Sequence, residues 1–96
     1  KIKVGFIVSA EQISQKTYKI ANDLRLANSS IILETFLSDG SIKSQLRKAN
    51  KCECSFAIII GDEESKNKQA IWKDLRGDGG QEILSLQELI NQYINL

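Results

Sequence analysis

Apolar positions fall into two periodicities that alternate along the chain. Residues 2–8 read Ile-Lys-Val-Gly-Phe-Ile-Val, and their second half is continuously apolar. That pattern predicts a strand covered on both faces. Ser9-Ala10-Glu11-Gln12 has the spacing of a capping box, with Ser9 as N-cap and Gln12 reaching back. A helix to about residue 27 follows, with Ile13, Thr17, Ile20, Ala21, Leu24 and Ala27 in one stripe and Asn28 as C-cap. Residues 30–37 form a second strand rich in Ile, Leu, Thr and Phe. Ser38-Asp39-Gly40-Ser41 reads as a turn. Ser41 caps a second helix with Ile42, Leu46 and Ala49 inward, and with Gln45, Arg47, Lys48 and Lys51 mainly outward.

Residues 56–60, Phe-Ala-Ile-Ile-Ile, are the most hydrophobic stretch and predict the central strand. It stops at Gly61, and Asp62-Glu63-Glu64 reads as a polar loop. A fourth strand spans 70–75, a hairpin loop lies at Gly77-Asp78-Gly79-Gly80, and a short fifth strand covers 82–84. Ser85-x-x-Glu88 opens the last helix, striped by Leu86, Leu89, Ile90, Tyr93 and Ile94. Right-handed crossovers make the first three strands parallel, and the hairpin makes the last two antiparallel. The expected fold is α/β, a three-layer α/β/α sandwich. Its mixed five-stranded sheet has order 2-1-3-4-5, with strand 4 antiparallel. Ligands of such sheets favour the carboxyl ends of the parallel strands. Those ends carry Ser9, Asp39 and the acidic segment through Glu64.

Composition narrows the function. Ninety-six residues suffice for one core, burying about 64% of the unfolded surface. The domain is expected to span 1–96 as a single unit, and the lack of Met even at position 1 points to a fragment of a longer protein. A net charge of +1 disfavours a strongly basic, sequence-blind nucleic-acid binder. With no His, imidazole bases and most zinc sites are excluded. Cys52 and Cys54 are too few for a disulfide framework, which fits a reducing, cytoplasmic setting. They also lack partner ligands, so no metal is expected, and Cys54 reads as a small core residue. The glycine cluster at 77–80 precedes a strand rather than a helix, so it reads as a turn and not as a phosphate cradle. A phosphoacceptor receiver would need paired acids after the first strand, where Ser9-Ala10-Glu11 stands. No nucleophile–base pair is evident, so no catalytic residue is assigned. By themselves these residues describe an α/β domain of open function, and a small-ligand domain is one reading of it.

The run Ser41-Ile42-Lys43-Ser44-Gln45-Leu46-Arg47-Lys48-Ala49-Asn50-Lys51, followed by residues 56–64, resembles the C-terminal anticodon-binding domain of histidyl-tRNA synthetase. That family shows Ser-(apolar)-Lys-x-Gln-(apolar)-x-x-Ala-Asp/Asn-Lys, then an apolar strand ending Gly-Glu/Asp-x-Glu. Trp72-Lys73-Asp74-Leu75 and the segment from Arg76 to Gln81 match its Val-Lys-Asp-Leu and following hairpin. Glu53 and Lys68 stand where the family usually carries Gly, and Ser38-Asp39-Gly40 lacks the Arg of some members. The related threonine, proline and glycine synthetases share the domain.

The resemblance implies a module that docks a tRNA anticodon loop, with Asp39, Glu64 and Lys73 reading bases and Arg47, Lys48 and Lys51 holding phosphates. It implies Glu64 and Lys73 as an acid–base pair for guanine, which the histidine anticodon contains: a carboxylate accepts from its N–H groups and an ammonium donates to its carbonyl. It further implies a parent ligase that is dimeric, cytoplasmic and not membrane-bound. Its ATP and magnesium chemistry would lie elsewhere, with no cofactor in this fragment. The rival reading is a regulatory or subunit-interaction domain of the same fold without anticodon contact.

Overall fold

The computed structural model describes residues 1–37 and 40–96. Strands β1 (Lys3–Val8), β2 (Ile32–Thr35), β3 (Phe56–Ile60), β4 (Gln69–Asp74) and β5 (Gln81–Ser85) form one sheet in the order β2-β1-β3-β4-β5. The β1–β2 and β1–β3 pairs are parallel, and β3–β4 and β4–β5 are antiparallel, as the crossovers and the hairpin predict. Helices α1 (Gln15–Ala27) and α4 (Leu86–Ile94) cover one face. On that side Val4, Phe6, Val8, Ile58, Ile60, Ala70, Trp72 and Leu84 meet Ala21, Leu24, Leu89 and Tyr93. Helix α2 (Ile42–Lys51) covers the other, where Ile7, Phe36, Cys54, Ala57 and Ile59 surround Ala49. Gly5 permits this approach: a β-carbon there would lie 3.1 Å from Ala49 Cβ. The folded surface is 5630 Å², close to the roughly 5,500 Å² that chain mass predicts.

Local details depart from the sequence reading where distant groups intervene. Ser9 does not cap the first helix. Its hydroxyl and the Gln12 amide both donate to Asp62 Oδ1, at 3.2 and 3.0 Å. Residues Ala10–Gln12 make only a 3₁₀ turn, and α1 starts after Ser14, whose N–H donates to Thr17 Oγ1. The polar segment after β3 is not a loop but a short helix, α3 (Asp62–Lys66). Its first turn carries Asp62, Glu63 and Glu64, the end at which negative charge is favoured. The second strand is shorter than expected, and Ile94 is solvent-exposed rather than part of the buried stripe. Ser41 and Ser85 do cap their helices, accepting from Ser44 N and Glu88 N. The returning bond from Ser85 N–H holds the Glu88 carboxyl below its ordinary range.

Glu53 and Lys68, which replace the expected glycines, still adopt left-handed backbone, with φ of 62° and 55°. The turns keep their path although each side chain there costs about 1–2 kcal/mol.

Tyr93 is fully buried, and its hydroxyl has no hydrogen-bond partner among the described residues. Burial pushes its pKa above the ordinary value of 10.0, and burial likewise raises that of Cys54 above 9.0. A raised pKa favours the protonated form in the fold. The contribution is full below the unfolded pKa and is lost as pH rises through the folded one. Stability should therefore decline from about pH 9 upward as first Cys54 and then Tyr93 ionise on unfolding. Tyr93→Phe should add about 1 kcal/mol at neutral pH by removing the orphaned hydroxyl, and should flatten the alkaline limb above about pH 10. Urea unfolding across pH 7–11 measures both. An unchanged alkaline limb in the variant would reject the assignment.

Candidate nucleic-acid interface

Strands β4 and β5 extend the sheet beyond α2: Ile71 of β4 is still half-buried against the α2-side core, but Ile83 of β5 is exposed, so the β5 edge of this face is open. Side chains alternate along a strand, so Ala70, Trp72 and Leu84 point under α4 while Gln69, Ile71, Lys73, Gln81, Ile83 and Ser85 share the opposite face. Ile71 pairs with Ile83, which is 60% exposed, and Lys73 pairs with Gln81, its Nζ 3.5 Å from Gln81 Oε1. This face thus has an aliphatic floor edged by amides and one ammonium. The ring pair Phe56–Trp72, with centroids 5.1 Å apart, lies on the other side, so among the described residues the open face offers bases no aromatic platform.

Helix α2 borders this face. The Arg76 guanidinium donates to the Asn50 and Cys54 carbonyls and so fixes the Asn50 flank of α2 beside the end of β4. Lys43 and Arg47 precede Asn50 by seven and three residues and share that flank, whereas Lys48 and Lys51 turn outward or away. All four are exposed. Of the three cations assigned to phosphates, Arg47 is the one that helix geometry puts on the Asn50 flank. Lys43 joins it, and its spacing from Arg47 was the signal available in the sequence.

At the carboxyl end of β3, Glu64 Oε1 accepts from Gly61 N–H at 2.9 Å. A β-carbon at Gly61 would lie 2.8 Å from that oxygen and 3.4 Å from Ile42 Cδ1. A side chain at Gly61 would therefore displace the Glu64 carboxylate from its cap, where α3 meets the first turn of α2. One oxygen of Glu64 is committed to the cap, and the other has no hydrogen bond among the described residues. Glu64 also borders a cavity of about 260 Å³ between α1, α3 and α4, floored by Ile20, Ile60, Leu86 and Ile90.

Glu64 and Lys73 are not side by side. Lys73 pairs with Ala57 near the start of β3, and Glu64 follows its end. Three strand steps from Ala57 to Ile60 alone span about 10 Å. The antiparallel register, invisible in the sequence, sets them at opposite ends of β3 rather than at adjacent strand ends. Asp39 lies outside the described residues.

A family model for the anticodon binding domain matches residues 3–96. The chain belongs to the anticodon-binding domain family. Among its relatives, histidine–tRNA ligases of Ruthia magnifica and Vesicomyosocius okutanii are 38% and 41% identical over 93% and 86% of the chain. The domain spans about a fifth of their length, 21% and 19%. Histidyl-tRNA synthetase from Nostoc superposes with a TM-score of 0.81 at 21% identity, over 98% of this chain and 21% of that one. The RNA-binding domain of threonyl-tRNA synthetase from Cryptosporidium parvum gives 0.79 at 16% identity, over 99% and 23%. These two likenesses establish the fold of the anticodon-binding domain and nothing narrower. Among the described residues, no helix is long and apolar enough to cross a membrane.

Proposed function

We propose that this domain reads the anticodon of histidine tRNA for a histidine–tRNA ligase. The observation that carries the proposal is the 38–41% identity to histidine–tRNA ligases over most of the chain. The surface chemistry supports it. Splayed bases lie against Ile71 and Ile83 and are read at their edges by hydrogen bonds rather than by aromatic stacking. Lys43 and Arg47 neutralise the flanking phosphates. Glu64 and Lys73 serve different bases, Glu64 through its uncommitted oxygen and Lys73 as a donor to a carbonyl. In this reading the parent ligase is a cytoplasmic homodimer, and its ATP and magnesium chemistry resides outside these residues.

Titrating the chain with an RNA hairpin carrying the histidine anticodon, and with one whose anticodon is substituted, tests the reading. Lys73→Ala should weaken the cognate hairpin by about 1–3 kcal/mol and leave the substituted one nearly unchanged. Arg47→Ala should weaken both alike and lower the salt slope by about 1. If the wild-type chain binds both hairpins equally at every salt concentration, the anticodon reading fails. A subunit-interaction role then becomes the better account.

A further inference from the structure

Gln45 is a fully buried polar side chain on α2, although its place in the sequence suggested an outward residue. Its amide makes a two-bond pairing with the last residue of β1. Val8 N–H donates to Oε1 at 3.2 Å, and Nε2 donates to the Val8 carbonyl at 2.7 Å. The second Nε2 proton goes to the Gly40 carbonyl at 2.9 Å. Gly40 is the left-handed residue, φ +84°, that leads into the Ser41 cap of α2. One amide therefore ties a strand end to the junction that launches α2. The first turn of α2 carries Lys43, and its Ile42 faces Gly61 beside Glu64.

We infer that Gln45 is a positioning residue for anticodon recognition. This rests on the tRNA reading above. Gln45 is enclosed and touches no RNA. It acts by fixing the Gly40 junction and the first turn of α2 relative to the β3 end and the open β5 edge. Released from it, that junction must be re-ordered at each binding event, which costs affinity only for the RNA that uses it. Two variants separate its ties. Gln45→Met keeps the length and loses all three bonds. In Gln45→Glu, a protonated buried carboxyl reproduces the two-bond pairing with Val8 but has no second proton for Gly40.

The test is binding of the 96-residue chain to the cognate and anticodon-substituted hairpins at pH 5.5. Circular dichroism reports folding, and hydrogen exchange follows the amides from Gly40 to Ser44. For Gln45→Glu we expect a native spectrum, faster exchange at these amides, and a loss of roughly tenfold or more on the cognate hairpin. The substituted hairpin should change little, so selectivity collapses. A merely structural defect would weaken both hairpins in proportion to the unfolded fraction. Gln45→Met should behave likewise if folded, and if it unfolds the Glu variant decides. A folded Gln45→Glu chain with wild-type selectivity overturns the inference, whatever its exchange rates. Equal binding of both hairpins by the wild-type chain overturns the tRNA reading itself, and this inference with it.

Discussion

Glu64→Gln in the parent ligase is expected to lower kcat/KM for cognate tRNA by about 1–3 kcal/mol, roughly 5- to 150-fold. The glutamine carbonyl can still accept from Gly61 N–H, as Glu64 Oε1 does at 2.9 Å, so the α3 cap survives. What changes is the other oxygen, which becomes an NH₂ donor facing the donors of a guanine edge. Glu64→Ala removes cap and contact together and cannot tell the two apart. The loss in the Gln variant should shrink on a tRNA whose anticodon is already altered, because the lost contact is specific to one base. Aminoacylation of native and anticodon-substituted tRNA measures it. Wild-type rates in a folded Gln variant would remove Glu64 from the interface.

Ile58→Ala should destabilise the domain by about 2–5 kcal/mol. Ile58 is fully buried at the middle of β3, flanked in register by Phe6 on β1 and Trp72 on β4. These three side chains form one row across the sheet beneath α1 and α4. The neighbours on both sides are strands, so the gap cannot collapse without disturbing two ladders. Against a typical total of about 5–15 kcal/mol for a domain, this is a large share. Urea unfolding of both chains gives the value, and a cost below about 1 kcal/mol would mean the row is not packed as described.

The parts of this fold readable from sequence are those set by near neighbours. Residues 56–60 announce the central strand because every side chain in it is apolar. Ser41 and Ser85 announce caps because their partners, Ser44 and Glu88, are three residues away. The misread parts depend on chain segments far apart. Ser9 looks like a cap until Asp62, 53 positions on, takes its hydroxyl. Gln45 looks like a surface residue because its partner, Val8, is 37 positions earlier and becomes a neighbour only when α2 packs on β1. The placement of the candidate site residues in the fold was legible in part for the same reason. Residue type and strand ends marked Glu64 and Lys73, but the distance between them is fixed by the β3–β4 register, which no local pattern encodes. The Arg47 flank follows from Arg76 reaching back to Asn50, another long-range contact.

The open β5 edge of the sheet bears on how such a domain changes its preference. Along β4 and β5 the residues buried under α4, Ala70, Trp72 and Leu84, alternate with those on the opposite face, where Ile71 still packs against the α2-side core while Lys73, Gln81 and Ile83 lie outside it. A single exchange at Lys73, Gln81 or Ile83 therefore alters what is presented to a partner without repacking the interior, and such changes combine nearly additively with changes in the core. One scaffold can acquire a new reading surface through stepwise substitutions, each of them compatible with a folded intermediate.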